Sequence, residues 1–476
     1  MREPPAGIVG NVAANRPILS VCVILAGLIA LGVAGARQLS APAAALIGSY
    51  AATALYVVAL PMALAALQPR RRFGRFCFYL IISIFAAVLI AVDVGRLALP
   101  AFAASLAPPP VTLTVSALGL FGFFSVLAPL GFNVARHSVA AAFAAIIGAV
   151  GGAGYLAIEE LWGAEQGAIA IALALTLGVG VGVSVGADFA KFFAAGAPKR
   201  KAAAAAGHSA VAIMAFSLLV VAAFFGVQTF DANFGAVDWR VVWAGITAAA
   251  AAMTASLVAV TASLAVAPIS EQAAVDENYR RGWFAVNWRP IRQALPPTTA
   301  SAASAIAVIV VVIALFEAGF AAPIALALFF VLVWLSAVTA FVSVRTATLI
   351  VVLLAVSAVL ADFGYTILGV AEPSLSERLT GLTFGAIALA HMTVSWRNAG
   401  EVWRNARDVT ENALSDGLRR FLFVVGAGAA SIFASAQSFA WPGGAGAAAY
   451  FLTTALIGLV LAPVMMTAMS ARFARY

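Results

Sequence analysis

Along this chain the polar positions come in short clusters, and between them run long stretches with almost no charge. Within a stretch the apolar residues show neither the 3.6-residue stripe of a half-buried helix nor the alternation of a strand. They fill every face, the pattern of a helix surrounded by lipid or by other apolar helices. A hydrocarbon core of about 30 Å takes roughly 20 residues of helix. On that ruler the sequence predicts fourteen spans: 17–36, 43–67, 76–97, 112–133, 138–157, 168–195, 209–228, 241–267, 300–318, 322–342, 347–366, 379–396, 418–437 and 446–470. Arg2 and Arg16 before the run from Pro17 to Ala34 have the layout of a signal peptide. That run exceeds a usual apolar region of about 7–15 residues, and a second apolar block follows closely, so it is a retained first helix.

The predicted fold class is an all-α polytopic membrane protein with two extra N-terminal helices, 1–75, and two parallel six-helix repeats. The repeats cover 76–269 and 300–476 and are joined by a cytoplasmic linker, 270–299, marked by Pro290, Pro296 and Pro297. Their landmarks recur in order. One span starts after Arg136 and closes on Gly154-Tyr155; another starts after Arg345 and closes on Gly364-Tyr365. Each is followed by an acidic outer loop, a helix, a polar inner segment and two more helices, which end in Ala267-Pro268-Ile269 and Ala462-Pro463-Val464. Six helices restore the orientation of the chain, so the copies are parallel. The inner segment 397–417, flanked by Trp396 and containing Trp403, reads as an amphipathic helix on the membrane surface.

Composition agrees with the pattern. Of 476 residues 64% are apolar and 10% charged, with a mean hydropathy of +1.04; soluble chains run at about 45–50% and about 25%. A soluble enzyme, a nucleic-acid-binding protein and a disordered chain are excluded. The net charge of +8, from 27 Lys and Arg against 19 Asp and Glu, first suggests an anionic partner. Topology accounts for most of it. With the N-terminus inside, only Arg37, Arg96, Arg240 and Arg378 fall on the outer side and the other 23 on the inner, so both termini are placed in the cytoplasm. Glu159, Glu160, Glu165, Asp231, Asp238, Glu317, Glu372 and Glu377 occupy the outer loops. Cys22 and Cys77 lie in apolar blocks without metal-ligand spacing. With no phosphate-binding loop, metal cluster or nucleophile constellation, no cofactor and no enzymatic activity are expected.

The span carrying Gly178-Val-Gly-Val-Gly-Val-Ser-Val-Gly186-Ala187-Asp188-Phe189-Ala190, with its counterpart Gly385-Ala-Ile-Ala-Leu-Ala-His391, resembles the resistance-nodulation-division (RND) superfamily, including its MMPL branch. The inner arginines, the outer Gly-Tyr pairs and the closing Ala-Pro runs fit as well, over roughly residues 76–470. The resemblance implies a bacterial inner-membrane transporter. Family members usually carry large outer domains after the first helix of each half; here those connections are only 98–111 and 319–321, so the chain resembles the membrane domain alone. The drug-efflux branch is similar in using paired acids on one half and a lysine on the other. This chain offers Asp188 followed by Phe189, and His391 with Thr393.

An ionisable group inside a span costs at least about 2.5–3.5 kcal/mol and is a candidate for function. Asp188, placed near the midplane by its distance from Gly196-Ala-Pro198, heads that list. Glycines 178, 180, 182 and 186 upstream allow a partner helix to approach. Burial disfavours its charged form, so it can take up and release protons; the alternative is a static pair with Lys191, one turn on. His391 titrates in a range suited to a proton carrier and would face Asp188 across the repeat axis, or be held by a neighbouring helix. Ser431, Ser435 and Gln437 could hydrogen-bond to it. Asp93 and Asp362 lie near outer helix ends, where solvated charge is the simpler role, and His137 and His208 belong to inner loops. The expected function is proton-coupled export or flipping of a hydrophobic or lipid-like substrate. A fourteen-helix lipid or polysaccharide flippase-type exporter, and a non-transporting accessory subunit, stay open. The expected partners are the lipid bilayer, such a substrate, and further copies or subunits of a larger membrane assembly, with no nucleic acid.

Overall fold

A computed structural model describes residues 8–38, 148, 151–152, 155–156, 159–161, 165–232, 236–266, 322–402, 409–438 and 441–473. The described residues are helical and contain no strand. In chain order the helices are α1 (Ile8–Asn15), α2 (Pro17–Gln38), α3 (Glu165–Ala194), α4 (Lys199–Ser209), α5 (Val211–Ala232), α6 (Trp239–Val266), α7 (Ala322–Phe341), α8 (Val344–Leu368), α9 (Leu375–Val402), α10 (Val409–Ser438) and α11 (Gly444–Phe473). Six stretches are long and apolar enough to cross a membrane, and a seventh if α1 and α2, bent by 114°, count as one. The expected spans at 43–67, 76–97, 112–133 and 300–318, the linker 270–299 and Asp93 lie outside the described residues.

Where the sequence predicts spans within the described residues, helices stand there. The expected 322–342 and 347–366 are α7 and α8, and 446–470 is α11. The inner segment 397–417 differs from expectation. Residues 397–402 continue α9 and residues 409–417 open α10, so most of it extends two long helices rather than forming a separate surface helix. Backbone hydrogen bonding does not stop where side chains become charged, and a polar turn on a long helix can reach past the hydrocarbon.

The chain divides into two compact units: Met1–Met214 with Arg240–Gly282 and Gly426–Pro442, and Ala215–Trp239 with Trp283–Val425 and Gly443–Tyr476. In the first unit α3 is the central helix, its apolar window wholly buried. Its last turn is closed by Gly196 at φ +86°, with the Ala197 N–H on the Phe192 carbonyl and the Gly196 N–H on that of Phe193. This turn returns the chain into α4, whose Ala202–Gly207 face is buried. Helix α1 packs on that face at backbone range. A Cβ at Gly10 would stand 2.6 Å from the Ala204 carbonyl oxygen, and Gly207 lies against Gly10. A second close crossing joins Gly148 and Gly152 to Ala252 and Ala248 of α6, in reversed order, so the two segments run antiparallel.

In the second unit α9 packs against α8 and α11, and α7 against α8. Only a third of the apolar window of α7 is buried, and Ile324, Val331 and Leu335 are exposed, as befits a helix that faces lipid. Helix α8 is closed at both ends. Ser343 accepts from the Thr346 N–H at 3.3 Å. At the other end Gly369, at φ +62°, donates to the Thr366 carbonyl while Val370 donates to that of Tyr365. Replacing Ser343 by alanine is expected to cost about 1 kcal/mol, read as a lower unfolding midpoint of the purified protein in detergent; Ser343→Thr should leave the midpoint nearly unchanged.

Candidate functional site

The site of the first unit forms where α3 meets the break between α4 and α5. Asp188, 3% exposed, stands six residues before the end of α3. That is about 9 Å from the helix end. Ser209 Oγ donates to Asp188 Oδ2 at 2.6 Å. Lys191 Nζ lies 3.7 Å from Oδ1, within ion-pair range but too far for a hydrogen bond. The expected pair with Lys191 is thus present at this separation, and a short charge-assisted bond from the Ser209 hydroxyl holds the carboxylate as well.

Ser209 was not among the residues predicted from sequence, which placed it at the first position of the span 209–228. A serine in the break between an alanine run and an apolar run is the one signal that marks it. Gly186, expected to admit a close partner helix, does not: a Cβ there would meet nothing within 4 Å. Close approach in this unit is made by Gly10, Gly207, Gly148 and Gly152.

In the second unit His391 and Thr393 are fully buried on α9. Thr393 donates to the Ala390 carbonyl of its own helix at 3.1 Å, so its hydroxyl is satisfied locally. Beside them α10 crosses at backbone range, where a Cβ at Gly417 would stand 2.9 Å from the Met392 carbonyl oxygen. One turn further along α10 is Arg420, also fully buried, with Nη2 donating to Asp416 Oδ2 at 3.0 Å. The expectation that counted Arg420 with the inner-side charge is corrected. Arg420 stands at the very start of the expected span 418–437, but α10 starts at Val409, so it lies about three turns inside a packed helix. Ser431 and Ser435 are buried on the same helix but fall in the first unit, whereas His391 belongs to the second.

Asp362, expected to be a solvated helix-end charge, is only about one-third exposed and ion-paired. Arg378 Nε lies 3.5 Å away, and Arg378 Nη2 reaches Glu372 Oε2 at 3.2 Å. The buried Tyr450 lies beside Asp362. His208 is exposed on α4, in keeping with a solvated role.

The sequence matches no protein-family model and no curated protein. Among solved structures it is similar to SecDF, a translocon-associated membrane protein from Thermus thermophilus, with a TM-score of 0.51 and 14% identity. The match covers 77% of this chain and 62% of that one, so the chain spans less than two-thirds of SecDF's length. At that identity the likeness concerns fold. The chain is a multi-pass α-helical membrane protein whose fold is similar to that of SecDF.

Proposed function

We propose that this protein is an RND-type transporter, of the MMPL-like kind expected from the sequence and reduced to its membrane domain, in a bacterial inner membrane. In it Asp188 takes up and releases a proton, and the exchange drives movement of a hydrophobic or lipid-like molecule. The observation that carries this reading is a carboxylate that is 3% exposed in a helix whose apolar window is wholly buried, and that takes a short hydrogen bond from Ser209. Neutral, Asp188 sits in the apolar bundle at little cost; charged, it draws on partners that include Ser209 and the more distant Lys191. The free energy gap between the two forms is what a proton gradient can work against. In the second unit the buried His391 and Arg420 are the groups proposed to respond to that change of charge. The apolar walls and short outer connections favour a lipidic cargo over a polar one.

The test uses proteoliposomes with an imposed pH gradient and a fluorescently labelled phospholipid as the probe. Wild-type protein is expected to move the label across the bilayer, and Asp188→Asn to reduce the rate at least tenfold, with Asp188→Glu retaining a measurable part. Transport that Asp188→Asn leaves unchanged removes Asp188 from the coupling role. A second reading draws on the likeness to a translocon-associated protein: this chain would serve as an accessory subunit of a larger assembly. Co-purification with a stable partner, combined with no transport by the isolated protein, would favour it.

A further inference from the structure

The hydroxyl of Ser209 has one proton and two acceptors within reach. Its Oγ lies 2.6 Å from Asp188 Oδ2 and 2.8 Å from the Ala206 carbonyl oxygen. A hydroxyl donates once and accepts twice, so it serves one of these acceptors at a time with a well-aligned bond. The carbonyl is available because the helix breaks here. In a continuing helix the Ala210 N–H would bond to Ala206, but at the α4–α5 junction it turns to the His208 carbonyl instead. Both acceptors are thus products of local geometry, one on α3 and one in the last turn of α4.

We infer that Ser209 is a two-position hydroxyl that follows the protonation state of Asp188. With the carboxylate charged, Ser209 donates to Oδ2. When Asp188 gains a proton from water, the new O–H donates to Ser209 Oγ, and the serine's own proton swings to the Ala206 carbonyl. No covalent bond of Ser209 breaks, and in both forms the Asp188 carboxyl keeps Ser209 Oγ as its partner. Ser209 is therefore a positioning residue that lets the two forms of Asp188 interconvert without orphaning the carboxyl. Besides Asp188, the ionisable groups on the two helices are Glu165 and Lys191 on α3 and Lys199, Arg200, Lys201 and His208 on α4. Lys191, at 3.7 Å and without an acceptor, cannot take the second position, since an ammonium only donates.

This inference rests on the reading of Asp188 as a proton carrier, and its test separates the two. Difference infrared spectra of the whole protein in liposomes, recorded across a pH titration, report the C=O stretch of the protonated carboxyl, assigned by its loss in Asp188→Asn. Ser209→Ala is expected to shift that band to higher wavenumber, as a carboxyl that has lost its acceptor does, and to slow labelled-lipid transport about tenfold, the fold-change that corresponds to one lost hydrogen bond of about 1.4 kcal/mol. Ser209→Thr keeps the hydroxyl and should restore both. If the band titrates but stands at the same wavenumber in Ser209→Ala, Ser209 is not the acceptor and the inference falls while the carrier reading survives. If no titrating band disappears in Asp188→Asn, Asp188 carries no proton and both fall.

Discussion

Replacing Asp416 by leucine is expected to destabilise the protein by about 3–5 kcal/mol, the usual cost of removing one member of a buried ion pair. The charge left behind is Arg420, with no exposed side-chain surface at all. The reverse change, Arg420→Met, should cost less, because Asp416 retains 15% of its side-chain exposure and water can reach it. This asymmetry distinguishes a buried pair from an ordinary i,i+4 pair on a helix surface, which contributes only about 0.3–0.5 kcal/mol from either side. The double variant Asp416→Leu with Arg420→Met removes both charges and should recover most of the loss. Unfolding midpoints of the four proteins in one detergent decide the matter; equal and small shifts for the two single variants would place the pair at the surface in energetic terms.

A second large effect is expected where backbone meets backbone. Gly148 and Gly152 stand one turn apart, and opposite them on α6 are Ala252 and Ala248 with the same spacing. A Cβ at Gly152 would lie 2.8 Å from the Ala248 Cα, and one at Gly148 would fall on the Ala252 backbone. Since Cα atoms cannot swing aside as side chains do, Gly148→Val and Gly152→Val should each cost about 1–3 kcal/mol through forced separation of the helices. Gly186→Ala is the control, because a methyl group there enters open space. It should be neutral or stabilising by up to about 1 kcal/mol from helix propensity. Comparable losses at Gly186 and Gly148 would show that glycine content rather than contact geometry matters.

Much of the fold was legible in the sequence, because hydropathy measures what places a helix in lipid. Helix α7 matches its expected span to within a residue, and α8 extends its span by three residues at one end and two at the other. What hydropathy cannot register is the continuation of a helix through charge, so the ends of α9 and the start of α10 escaped it. The burial of Arg420 escaped with it, since an arginine counted with the charge at a span's inner end is assumed to meet water. Asp188 was legible for the opposite reason: a lone acid in a glycine-rich apolar run has no cheap explanation. Its partner was not, because Ser209 approaches through a turn of the chain and 21 positions of sequence. Likewise Asp362 looked solvated until Arg378 and Tyr450 were brought to it by α9 and α11.

The doubly capped helix α8 has one further consequence. Its 25 residues amount to about 37 Å at 1.5 Å per residue, against a hydrocarbon thickness of about 30 Å. A helix with loose ends could shed a turn to fit; one closed by Ser343 and by Gly369 has a fixed length. The mismatch must then be met by tilt or by local swelling of the bilayer. Asp362 lies six residues from the Leu368 end, about 9 Å along the axis, so the ion pair with Arg378 stands near the depth at which lipid tails give way to headgroups. Membranes of shorter or longer acyl chain would move that boundary past a pair that cannot move with it, making lipid thickness a variable that this helix reads.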